Sequence, residues 1–122
     1  MNTADHPSVD FLFRLAPAKD WERAREAGEY AGGDLDRRDG FLHLSTAAQV
    51  VETAAVHYAG VSDLVLLTIP AAPLAAALRW EVSRSGALFP HLYRPLKAGE
   101  VESATPLPLD KDGKHTFPSL PG

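Results

Sequence analysis

The chain has no cysteine. A disulfide framework, a thiolate metal site and a cysteine nucleophile are therefore excluded, and the absence fits a reducing compartment. Basic charge is not in excess: 12 Lys and Arg stand against 16 Asp and Glu, net −4, so the electrostatic footprint of a duplex nucleic-acid binder is missing. Long apolar runs are missing too. The longest, Leu64 to Leu78, is broken by Thr68, Pro70 and Pro73, short of the about 20 apolar residues that a membrane helix needs. Met1 to Asp10 shows no basic stretch followed by an apolar core, so no secretory signal is read. Gly32-Gly33 lacks the lysine and hydroxyl residue of a phosphate loop. The expected location is the cytoplasm, and neither nucleic acid nor membrane is an expected partner. No pattern speaks to oligomeric state.

What remains is one ordinary globular chain: 122 residues, 45% hydrophobic and 23% charged. Residues 1–10 read as a flexible arm, 11–107 as a single domain and 108–122, rich in proline, as an extended or disordered tail. Phe11 to Leu15 reads as a strand that is apolar except at Arg14. Pro17 opens a short helix anchored by Trp21, Ala24 and Ala27 and stopped at Gly28. Residues 31–40 read as a polar loop. In Gly40 to Ser45 the alternation places Phe41, His43 and Ser45 on one face. Thr46-Ala47-Ala48-Gln49 matches a capping box opening a second helix, with Val50, Val51, Ala54, Ala55 and Tyr58 as its apolar stripe.

Leu64 to Ile69 reads as a strand covered on both sides. Leu78 to Val82 alternates, and so does Leu88 to Tyr93, where Pro90 predicts an edge strand or a bulge. Glu100 to Thr105 reads as a last strand. The expected fold is α+β, a mixed and mostly antiparallel sheet of about six strands with two main helices.

Arg14, His43, Ser45, Glu81, His91 and Tyr93 sit on strands otherwise rich in apolar residues. Buried polar groups left unpaired cost about 1–3 kcal/mol each, so these must meet one another, water or a ligand. Ser45 and His43 stand at the start of the second helix, where backbone amides favour an anion. A serine hydrolase is disfavoured: same-face strand neighbours lie roughly 6–7 Å apart, and although His91 could serve as base, no G-x-S-x-G elbow exists. A metal-dependent hydrolase built on His43, His91 and Glu81 or His57 is a further alternative, without a recognised ligand spacing. His6 and His115 fall in the expected flexible ends.

The blocks Gly40-Phe41-Leu42-His43-Leu44-Ser45-Thr46, Asp63 to Leu67, Leu78-Arg79-Trp80-Glu81 and Leu88-Phe89-Pro90-His91-Leu92-Tyr93, after a helix holding Trp21, resemble the domain-of-unknown-function 952 family (DUF952). The resemblance runs from about Phe11 to Leu107. It implies no established activity. It implies a fold similar to the ADP-ribosyltransferase-like group, which binds NAD in a cleft between sheet halves, with His43-Leu44-Ser45 as the element supporting ribose and amide. On that likeness Tyr93 or Tyr58 would stack on the ligand and Glu81 would be the catalytic carboxylate. Arg14 and Arg94 stand where family members often carry His and Gly; arginine there suits oxyanion contacts.

The expected function is a polar cleft binding a nucleotide-like or anionic small molecule. The expected ligand contacts are Arg14, His43, Ser45, Thr46, His91 and Tyr93, with Glu81 and His43 as catalytic residues if NAD-dependent transfer occurs. NAD or a related nucleotide is the cofactor to test first. The alternative is a non-enzymatic module binding a ligand or a protein.

Overall fold

A computed structural model describes residues 9–121. The arm expected over residues 1–10 lies, but for its last two residues, outside them. The fold is α+β, and every strand pairing among the described residues is antiparallel.

Strand β1 (Phe11–Pro17) pairs along its whole length with β4 (Leu64–Pro70), which also pairs with β8 (Ser103–Pro106). Strands β1 and β4 lack polar alternation because both their faces are covered, whereas β8 is largely exposed. Leu12, Ala16, Val65, Leu67 and Ile69 enter one core cluster, while Phe13, Leu15, Leu64 and Leu66 enter a second on the other side. A second three-stranded sheet has the order β3 (Leu42–His43), β6 (Leu88–Leu92), β5 (Leu78–Val82). A two-residue ladder joins β2 (Glu29–Tyr30) to β7 (Leu96–Lys97). The single expected sheet of about six strands is thus divided into three. The two larger sheets are linked where Phe13 and Ser45 exchange backbone hydrogen bonds of 2.8 and 2.9 Å.

Pro90 lies in the central strand of its sheet, not at an edge. Its carbonyl accepts from the Leu44 amide at 3.1 Å. A strand residue aims its N–H and C=O toward the same neighbour, so the missing N–H faces β3, which ends here and turns toward β1. The ladder toward β5 keeps all its donors.

Helix α1 (Ala18–Ala27) buries Trp21 and Ala24 and ends at Gly28, which takes φ 92° and donates its amide to the Ala24 carbonyl at 2.8 Å. The stretch expected as a polar loop holds helix α2 (Asp34–Asp39), closed by Gly40 at φ 83°. Six residues, only one of them apolar, are too few to show helical periodicity. Helix α3 (Ala47–His57) begins with Thr46, whose amide donates to Gln49 Oε1 at 3.1 Å. Its buried stripe is narrower than the sequence suggests: Val50 and Ala54 are buried, whereas Val51 is 51% exposed. Among the described residues no helix is long and apolar enough to cross a membrane.

Residues 108–121 run mostly without regular structure but are seated on the domain. Leu109 and His115 form a bridge, Asp110 accepts from the amides of Asp112 and Lys114, and Phe117 and Leu120 pack on the second core cluster.

Candidate functional site

The register of the β3–β6–β5 sheet assembles the site. His43 pairs with His91, and His91 with Arg79. Because side chains alternate, the Phe41, His43, Ser45 face joins the Phe89, His91, Tyr93 face. The other side of the sheet carries Leu42, Leu44 and Leu92 into the first core cluster. Phe41 packs between the histidines, 4.0 Å from the His91 ring and 4.6 Å from the His43 ring, centroid to centroid. The two imidazoles are 5.6 Å apart.

A cleft of about 240 Å³ opens where this face meets β1, α2 and α3. Of the residues singled out from the sequence, Arg14, His43, Ser45 and His91 line it. Thr46, Glu81 and Tyr93 are outside its lining; Tyr93 borders a separate depression with Gly40 and Phe41. Helix α3 contributes Thr53, His57 and the following Tyr58, from its carboxyl end. Ser45, just before the α3 cap, lines the cleft, but Thr46 and the first turn of α3, expected to receive an anion, do not, and the Thr46 amide is already satisfied by Gln49.

Arg14 is not a free positive charge. It is 9% exposed, and its two terminal nitrogens reach the two carboxylate oxygens of Asp36 at 2.8 Å each. Asp36 also accepts from the amides of Gly33, at 2.8 Å, and His43, at 2.9 Å. Burial opposes the charge on Asp36, but hydrogen bonds from His43 and Arg14 outweigh it and hold the carboxyl far below its ordinary range. His43 is flanked by carboxylates, Nδ1 lying 2.8 Å from Asp36 and Nε2 3.0 Å from Asp39. Carboxylates only accept, so a ring protonated on both nitrogens serves both contacts at once. Asp36 and Asp39 were missed in the sequence. The one signal was Arg14 itself, a charge on a buried strand that demands a carboxylate partner.

His91 is arranged differently. Its Nδ1 lies 2.7 Å from Glu81 Oε1, and the Tyr93 hydroxyl donates to the same oxygen at 2.7 Å. Hydrogen bonds from His91 and then Tyr93 keep the Glu81 carboxyl below its usual range. Burial pushes the His91 imidazole down, and the Glu81 contact offsets this only in part. The result is a neutral ring whose Nδ1–H donates to a carboxylate and whose Nε2 carries the lone pair. Glu81 thus acts on the cleft through His91. The remaining polar lining includes the hydroxyls of Ser45 and Thr53, 3.1 Å apart, while Phe13, Phe89 and Tyr58 provide apolar wall. Among the described residues no group of three or more His, Asp or Glu is arranged to hold a metal ion, so His43, His91, Glu81 and His57 form no such centre.

Three solved structures resemble the chain, all of protein CC0527 from Caulobacter crescentus. The crystal structure has 43% sequence identity and a TM-score of 0.83, covering 87% of this chain and 93% of that one. A double mutant of the same protein has 42% identity and the same TM-score. The solution structure has 44% identity and a TM-score of 0.78, covering 85% of this chain and 90% of that one. These relatives bring no activity with them, and none adds support for an ADP-ribosyltransferase-like fold. No curated protein matches. The model of the family described as "Protein of unknown function (DUF952)" matches residues 15–104, and the chain belongs to that family.

Proposed function

We propose that the cleft binds a small polar molecule of the nucleoside or nucleotide kind. The observation that carries this reading is the pair of inward-facing histidines on adjacent strands: His91, oriented by Glu81, offers an acceptor nitrogen, and Ser45 and Thr53 offer hydroxyls in the same cleft. A ribose presents matching hydroxyl donors and acceptors, and a base ring suits the Phe89 and Tyr58 walls. The volume of about 240 Å³ is below the roughly 300–1,000 Å³ of sites for drug-sized ligands. It would enclose one nucleoside half of NAD and leave the other half outside. The ADP-ribosyltransferase-like likeness belongs to this proposal, supported by the cleft's position where two sheets meet beside Ser45.

Glu81, behind His91, would position that ring rather than touch a ribose. Transfer chemistry is therefore a narrower claim than binding, and the two separate by experiment. Millimolar adenosine, ADP-ribose and NAD should each raise the unfolding temperature, since a ligand at 100 times its Kd adds about 2.7 kcal/mol. No shift with any of them ends the nucleoside reading. His91→Ala should weaken binding about tenfold, or about 1.4 kcal/mol. Release of nicotinamide from NAD would establish transfer. Binding without release would leave a ligand-binding module.

A further inference from the structure

Arg14 is committed to Asp36, so the positive charge available to a ligand must come from elsewhere. The other arginine in the cleft lining is Arg84, in the turn between β5 and β6. Its guanidinium lies 4.9 Å from the Phe89 ring centroid, and Nη2 donates to Thr53 Oγ1 at 3.2 Å. The nearest carboxylate described, Glu52, stands 3.9 Å from Nη2 and is 69% exposed. Such a pair is loose and screened, unlike the two 2.8 Å contacts between Arg14 and Asp36. The described contacts of Arg84 engage Nη2, and the Nη1 and Nε donors, which none of them uses, are the ones an oxyanion would meet.

We propose that Arg84, its Nη2 steadied by the Thr53 hydroxyl oxygen, forms with His57 an anion subsite at the α3 end of the cleft. It would take a phosphate or carboxylate group of the ligand, whose remainder extends toward Ser45 and His91. The inference deepens the nucleotide reading and names the end of the site at which the charge sits. The opposing charges are identifiable. Glu52 competes for Arg84 from the same helix, and Asp34 lies across the cleft on α2. The carboxyl end of α3 is electronegative, so Arg84 and a protonated His57 must outweigh it. Burial, then the charge of Arg84 and then that of His43, depress the His57 imidazole. An anion between Arg84 and His57 would reverse that depression.

The test is a titration of the isotope-labelled full chain with inorganic phosphate, following the Arg84 Nε–H and the His57 ring by NMR. The expected result is a saturable shift of both, with the His57 pKa rising on binding. Arg84→Gln should abolish the response. Glu52→Gln should tighten phosphate binding about two- to fivefold by removing the competitor, a gain that misfolding cannot mimic. A non-saturating response, or one unchanged in Arg84→Gln, overturns the subsite. Parallel titrations with adenosine and AMP separate the two claims. Adenosine binding without a phosphate response sinks the subsite and leaves the nucleoside reading. A phosphate response without adenosine binding does the reverse. If both hold, AMP should outbind adenosine about tenfold in the native chain and lose that advantage in Arg84→Gln.

Discussion

At the scale of the residue, Asp36 carries more than any other polar side chain described. It accepts from both terminal nitrogens of Arg14, from the amides of Gly33 and His43, and from the His43 ring. Removing its charge would leave Arg14 buried and uncompensated. Asp36→Asn should therefore cost about 3–5 kcal/mol, measured by denaturant unfolding. The pH dependence follows from linkage. The folded-state pKa of Asp36 is lowered, so its contribution is present above the unfolded carboxylate range and is lost as pH falls below that range. An acid unfolding curve should accordingly lose part of its steepness in Asp36→Asn. A second test concerns His91. Because Glu81 raises the His91 pKa against burial, Glu81→Ala should lower it further, as read by NMR titration of the ring.

The need for a partner to Arg14 was readable from the chain, since a lone charge in an apolar strand is too costly to leave unpaired. Its identity was not. Asp34, Asp36 and Asp39 are equivalent in sequence, and only the helical turn of α2 aims Asp36 inward while Asp34 stays exposed. The same reasoning limits Arg14 as a ligand contact. Local pattern showed that it was buried, not that a carboxylate had already satisfied it.

At the scale of the element, glycine positions separate two kinds of strain. Gly28 closes α1 with φ 92°, and an added Cβ would meet nothing within 4 Å. Gly28→Ala should cost only the left-handed penalty, about 1–2 kcal/mol. Gly32, at φ 88°, would drive a Cβ into the Asp36 carboxyl itself. Gly32→Ala should therefore destabilise more than Gly28→Ala, and the difference should shrink in an Asp36→Gly background, which removes the Asp36 Cβ at 2.7 Å along with the carboxyl, a double-mutant cycle read by unfolding. The capping box of α3 and the apolar strands β1 and β4 were plain in the sequence because their signals are local. Helix α2 was not, since it is held by the contacts of Asp36 rather than by an apolar stripe. The place of Pro90 in a central strand depended on where β3 ends, a fact about a segment some 45 residues away.

At the scale of the whole molecule, the α+β class followed from the mixture of periods, but the division into three sheets did not. Strand partners are chosen by hydrogen bonds between distant segments, which no local pattern records. The seating of residues 108–121 belongs to the same category: prolines argue for an extended course, while only the assembled core shows that Phe117 and Leu120 have a surface to cover. Phe117 is half-buried, so Phe117→Ala should cost about 1 kcal/mol, near half the value of a fully buried aromatic, by thermal or denaturant unfolding. His115 adds a 2.7 Å contact from its Nε2 to the Val61 carbonyl.

Tyr58 packs against the same core cluster as Phe117 and Leu120, and it also forms part of the cleft wall. The carboxyl-terminal segment is in that sense a buttress. Clipping it with a protease, or displacing it with a competing peptide, should slacken the pocket and weaken whatever it holds, although no clipped residue ever meets the guest.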